Sequence, residues 1–120
     1  MIEQPVEITL HQQSRELEIA FSDDSRYRLS YEFLRVYSPS AEVRGHGPGQ
    51  EVLQTGKQEV NVLGIEPVGS YAMKIVFDDG HDSGLYSWEY LRLLGNSRDS
   101  LWHEYLRRIK EAGASREPKR

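Results

Sequence analysis

Hydrophobic residues recur along this chain with two different periods. Val6, Ile8 and Leu10 alternate with Glu7, Thr9 and His11, the period-two pattern of a half-buried strand. Leu17, Ile19 and Phe21 alternate in the same way with Glu16, Glu18 and Ala20, and Tyr27 and Leu29 flank Arg28 in a shorter run. The polar stretch Gln12-Gln13-Ser14-Arg15 has hairpin length, and Ser22-Asp23-Asp24-Ser25 is a turn cluster whose short side chains bond the local backbone. Together these predict three strands in an antiparallel meander with one polar face.

Ser30 then predicts a helix cap, with Phe33, Leu34 and Tyr37 on one side and Pro39 as the stop. Ser40 through Gly56 has no period. It contains Gly45-His46-Gly47-Pro48-Gly49, which reads as a wide surface loop. Val60 and Val62 open a further strand, bent or at an edge because Gly64, Pro67 and Gly69 interrupt it. Tyr71, Met73, Ile75 and Phe77 alternate with Ala72, Lys74 and Val76. Two of those alternate residues are also apolar, which predicts a central strand covered on both faces.

The turn Asp78-Asp79-Gly80-His81-Asp82-Ser83-Gly84 leads to a short strand at Leu85-Tyr86. Ser87 caps a helix over Trp88–Leu94, with Gly95 or Asn96 ending it in the left-handed conformation. A last helix runs from Ser97 or Asp99 to about Ala112. Its apolar stripe is Leu101, Trp102, Tyr105, Leu106 and Ile109, a core face rather than a ligand box. The predicted fold is α+β: an antiparallel β-sheet with two or three short helices packed on one side or end. One domain spans 1–112, and 113–120 is read as a charged, disordered tail.

Composition narrows the chemistry. Apolar residues are 38% and charged residues 28% of the 120, as in a soluble domain. The net charge of −4 argues against nucleic acid as the main partner. There is no cysteine, which removes disulfides, thiolate nucleophiles and sulfur ligation of metals. No basic segment with an apolar core opens the chain, and no apolar run has membrane-spanning length, so a cytoplasmic protein is expected.

The densest polar cluster is the turn around His81. Imidazole beside Asp78, Asp79 and Asp82 can bind a divalent ion or act as a base. The same residues are also ordinary turn chemistry, since Asp and Gly fit reversed backbone and Asp accepts from nearby amides. The acidic spacing does not match a calcium loop. His46 in the glycine-rich loop is the histidine that would complete a site with His81 and Asp79. The glycine-rich run itself lacks the following helix start and Lys-Ser or Lys-Thr pair of a phosphate loop. No Gly-x-Ser-x-Gly occurs, and His81 and His103 both lack the His-x-Asp spacing of non-haem iron sites. The basic C-terminal run Arg107, Arg108, Lys110, Arg116, Lys119 and Arg120 is read as a solvated face and tail.

Leu34-Arg35-Val36-Tyr37-Ser38-Pro39-Ser40-Ala41-Glu42 with Gly45-His46-Gly47, followed by Phe77-Asp78-Asp79-Gly80-His81-Asp82-Ser83, resembles the gamma-butyrobetaine hydroxylase-like N-terminal domain family. The likeness covers roughly residues 5–95. In the hydroxylases, the resemblance implies, this domain precedes a 2-oxoglutarate- and iron-dependent catalytic domain and holds zinc on three Cys and one His. The matching positions here are Ser38, Ser40 and Val43 for the cysteines and His81 for the histidine. Hydroxyls compare poorly with thiolates as zinc ligands, and valine is none.

Neither a family-type zinc site nor hydroxylase activity is therefore expected, since no stretch matches the iron-binding jelly roll. Stand-alone bacterial members and domains fused to nucleotide-dependent iron–sulfur carriers imply an accessory role in metal or cofactor biology. The expectation is a non-enzymatic accessory or protein-interaction module with a protein partner, no membrane association and no cofactor. The alternative is a small metal-binding protein with zinc or iron on His81, His46 and Asp79.

Overall fold

The computed structural model describes residues 4–119; Met1, Ile2, Glu3 and Arg120, counted above in the N-terminal segment and the basic tail, lie outside the described residues. The chain order is β1 (Pro5–His11), β2 (Glu16–Phe21), β3 (Arg26–Ser30), α1 (Tyr31–Val36), α2 (Ala41–Arg44), β4 (Val62–Val68), β5 (Ala72–Phe77), β6 (Leu85–Ser87), α3 (Trp88–Asn96) and α4 (Arg98–Glu111). The α+β architecture agrees with the sequence pattern. The strands divide into two antiparallel three-stranded sheets, β1-β2-β3 and β4-β5-β6.

The first sheet is the expected meander. Leu17, Ile19 and Phe21 point into the core, while Glu16 and Glu18 face outward. On that outer face Glu18 receives His11 and Arg26, and Arg28 pairs with Glu16. In the second sheet β5 is central, as its apolar run implied. β4 carries Pro67 and a register shift between Val62 and Gly64, both tolerated because it is an edge strand.

The expectation that β5 is covered on both faces needs correction. Met73, Ile75 and Phe77 are buried and so is Ala72 on the opposite face, but there Lys74 and Val76 are only half-buried and Leu85, paired with Lys74, is exposed. The outer face of this sheet is covered at Ala72 and only partly covered beyond it.

One core joins the two sheets. It collects Leu17, Ile19, Phe21 and Leu29 from the first, Val62, Met73, Ile75, Phe77 and Tyr86 from the second, and Tyr31, Phe33 and Leu34 from α1. Leu91 and Leu94 of α3 complete it. A smaller cluster of Val36, Tyr105 and Ile109 seats the buried stripe of α4. Every side chain of α1 is buried, including Glu32 and Arg35.

Three local readings differ from the pattern. Ser40 begins a four-residue helix, α2, where no structure was expected; its Oγ accepts from the Glu42 amide. Gly95 does not take a left-handed conformation: α3 runs through it to Asn96, with Ser97 at the cap. Its missing side chain instead seats Tyr27, whose ring atoms would lie 2.5 Å from a Cβ there and whose hydroxyl donates to Asn96 Oδ1.

The described residues of the tail, 113–119, make contacts with the rest of the domain. The Gly56 and Gln58 amides donate to the Ser115 and Arg116 carbonyls. Arg116 grips Glu32 with two hydrogen bonds of 2.8 and 2.7 Å and lies over the Trp102 ring. A buried carboxylate on α1 supplies the anchor that composition could not reveal.

The seat at Gly95 makes a test of sign. Alanine in an open helix interior is favoured over glycine by about 1 kcal/mol, whereas a methyl driven into a packed ring costs about 1–3 kcal/mol. Gly95→Ala is expected to lower the urea unfolding midpoint; a raised midpoint would mean that Tyr27 does not rest on this turn.

Candidate functional site

The turn after β5 and the segment after α1 meet at a buried polar node. Gly80 takes a positive φ of 89° at the tip of the turn, and the Phe77 amide closes it on the His81 carbonyl at 3.0 Å. Asp78 accepts from the Asn61 amide at 2.9 Å and Asp79 from the His81 amide at 3.1 Å. Acidic side chains thus serve the backbone, as turn chemistry requires. The result is that the His81 ring is carried inward, 5% exposed, against Phe77.

There His81 Nε2 lies 2.8 Å from Ser38 Oγ, and Nδ1 lies 3.3 Å from a Glu42 carboxylate oxygen. Ser38 Oγ in turn accepts from the Ser40 amide at 3.2 Å. The consistent assignment is that Ser38 donates to an unprotonated Nε2 while Nδ1–H faces Glu42. Ser40 Oγ bonds Ser83 Oγ at 2.7 Å, and Val43 is buried. Gly84 is required beside the node, because a Cβ there would collide with Ser38 Oγ. Tyr86, fully buried beneath, donates to the Leu34 carbonyl at 2.6 Å, one of the orphan carbonyls at the end of α1.

Asp79 has a separate duty. Its Oδ2 receives Arg35 at 2.8 Å and Lys57 at 2.6 Å, while Arg35 also donates to Gln54. Burial works to raise the Asp79 carboxyl, but the Lys57 and His81-amide hydrogen bonds and the Arg35 charge outweigh it and hold it below its ordinary value. For His81, burial and then the Arg35 charge lower the imidazole below its ordinary range, against the opposing pull of Glu42 and Asp79. A neutral ring is what the hydrogen bond from Ser38 needs.

The residues named for an ion are distributed as follows. His81 and Asp79 share one turn but turn to different partners. Asp82 reaches Lys74 at 3.9 Å, and Asp78 serves Asn61. His46 lies in the wall of a cavity that neither His81 nor Asp79 lines. Among the described residues no three of His, Asp and Glu converge as a metal-holding group. The four positions that match the family's zinc ligands do come together, but as hydroxyl, hydroxyl, isopropyl and an imidazole already bonded to one of those hydroxyls. That donor set does not fit zinc.

Ser38, His81 and Glu42 are linked in the manner of a nucleophile, its base and an orienting acid. Ser38 is 1% exposed and stands in the wall of the cavity that His46 also lines. Ser38 Oγ is engaged with both the His81 ring and the Ser40 amide, so the three groups clasp the segment after α1 to the turn after β5. Sequence reasoning missed the Ser38–His81 bond, the contribution of Glu42 and the seat at Gly84. Only the paired motifs around Ser38 and His81 hinted that the two segments touch.

The family model described as gamma-butyrobetaine hydroxylase-like, N-terminal, matches residues 8–92. Two protein structures determined by NMR in solution are similar over nearly the whole chain. One is 49% identical with a TM-score of 0.85, covering 100% of this chain and 94% of its own. The other is 52% identical with a TM-score of 0.84, covering 97% and 86%. A crystal structure of a protein with unknown function from Acidithiobacillus ferrooxidans is 40% identical, with a TM-score of 0.65 over 77% of this chain and 92% of that one. No curated protein matches. The matched region is the small, non-catalytic N-terminal type of domain, and the described residues build no second fold.

Two outcomes test the node. Ser38→Ala strips the partner from the buried Nε2 and from the Ser40 amide and is expected to cost about 1–3 kcal/mol in chemical denaturation; an unchanged midpoint would show that the hydroxyl is not engaged. Because folding lowers the His81 pKa, its contribution is full above the unfolded value of 6.5 and is lost as pH falls from there through the folded pKa. Stability measured against pH is therefore expected to fall over that window more steeply in the native chain than in His81→Gln. Parallel curves would contradict the assignment.

Proposed function

For a chain that belongs to the gamma-butyrobetaine hydroxylase-like N-terminal family, we propose the role of a non-enzymatic accessory module that engages a protein partner, working in the cytoplasm in metal or iron–sulfur cofactor biology. The observation that carries this reading is the internally bonded node of Ser38, Ser40, Val43 and His81. The positions that match the family's ligands are spent on internal bonds and packing, so what this chain offers to its surroundings is its surface. The association with cofactor biology rests on the likeness to domains joined to iron–sulfur carriers.

The partly covered face of the second sheet supports the same reading. Leu63 on β4 and Leu85 on β6 are 69% and 47% exposed on its two edge strands, and Lys74, beside Leu85, faces Glu66 and Asp82. Apolar side chains with a charged surround are the anatomy of a protein-binding patch. No helix of the described residues is long and apolar enough to cross a membrane.

Cross-linking and affinity capture with the native chain are expected to recover a defined protein that the double variant Leu63→Asp, Leu85→Asp fails to hold while keeping its fold. A catalytic turnover, or capture that ignores the double variant, would count against the proposal. Stoichiometric zinc or iron in the purified protein, absent from His81→Gln, would replace it with the reading of an ion resident at His81.

A further inference from the structure

A cavity of about 500 Å³ opens between the end of α1, the loop after α2, Tyr90 of α3 and Arg108 of α4. Its walls are largely apolar: Val36, Val43 and Val52 line it, with the rings of Tyr37 and Tyr90. Both phenol groups are already committed, Tyr90 donating to the Tyr37 carbonyl and Tyr37 to the Leu101 carbonyl, each at 2.6 Å. The rings therefore present carbon to the space.

The charges at this cavity are unusual for the molecule. Arg35, Arg107 and Arg116 each grip a carboxylate, but Arg44 and Arg108 have none within 4.0 Å among the described residues, the Arg108 charge acting on Glu51 and Glu104 from farther off. Arg44 is held over the Tyr90 ring, 5.0 Å from its centroid, which fixes its guanidinium at the mouth. The one carboxylate in the lining is Glu51, held below its ordinary value by its own and the Gly49 backbone amides and by the charge of Arg108. Two arginines thus stand against one carboxylate in the lining.

An apolar chamber of this size with two guanidinium forks is suited to a small amphipathic anion. The geometry points to a binding site for an organic oxyanion, carboxylate or phosphate monoester, whose apolar body lies between the valines and tyrosine rings and whose charged end meets Arg44 and Arg108. The site uses no residue of the second sheet. It stands or falls independently of the partner face proposed above.

The test is an NMR titration of the full, isotope-labelled chain with hexanoate and with hexyl phosphate, set against inorganic phosphate and 1-hexanol. Saturable shifts are expected at amides of residues 43–52, Tyr90 and Arg108 with one or both of the first two probes. Inorganic phosphate lacks the apolar body and hexanol the charge, so both are expected to bind at least tenfold more weakly. Which of the two anions binds tighter assigns the headgroup. Arg108→Gln and Arg44→Gln, checked for unchanged folding by their spectra, are each expected to weaken binding by roughly tenfold, as loss of a charge-assisted hydrogen bond does. No saturable shift with either anion, equal binding of inorganic phosphate or hexanol, or affinity indifferent to both arginine variants would overturn the proposal.

Discussion

Two opposite charges inside a helix of six residues organise this protein. Glu32 and Arg35 lie on α1, where every side chain is buried, and a buried charge is costly unless it is paired. Glu32 draws in Arg116 from the far end of the chain. Arg35 draws in Asp79 from the turn after β5 and Gln54 from the long irregular segment. Removing one member of such a buried pair typically costs about 3–5 kcal/mol, because the other charge is left behind. The segments least able to order themselves by pattern are thus fixed by electrostatics to the most deeply packed element.

The same logic explains how the fold manages at the position where relatives are expected to hold zinc. A metal would tie the segment after α1 to the turn after β5. Here a hydroxyl and an imidazole make that tie directly, with Glu42 at the outer nitrogen and Gly84 leaving room for the serine. Tyrosines reinforce it: Tyr86 and Tyr90 donate to the carbonyls of Leu34 and Tyr37, finishing the end of α1 that has no helical partners. Several modest neutral bonds and close packing thus perform a task that coordination can perform with one ion.

The strands and both long helices were legible because their burial follows a simple period, and Ser30 and Ser87 marked helix starts by their capping oxygens. The division into two sheets was not legible, since alternation does not say which strand pairs with which. Gly95 misled because glycine serves equally to end a helix and to admit a neighbouring ring, and the ring belongs to Tyr27, far away in sequence. At the site, Asp78 and Asp79 behaved as turn residues. The bond between Ser38 and His81 spans 43 positions and leaves no local trace. The tail looked loose for a similar reason: its anchor, Glu32, is hidden in a helix whose charges appear solvent-facing on paper.

The pairing of the tail with residues 56–58 makes two regions into one mechanical unit. Ser115 and Arg116 supply the carbonyls that hold the Gly56 and Gln58 amides, and Lys57 between them reaches Asp79. A pull on the last few residues would release the Glu32 latch, strip those amides and loosen the lysine's hold on the central turn. The carboxyl end of the chain therefore acts as a drawstring on the polar node, although it contributes no atom to it.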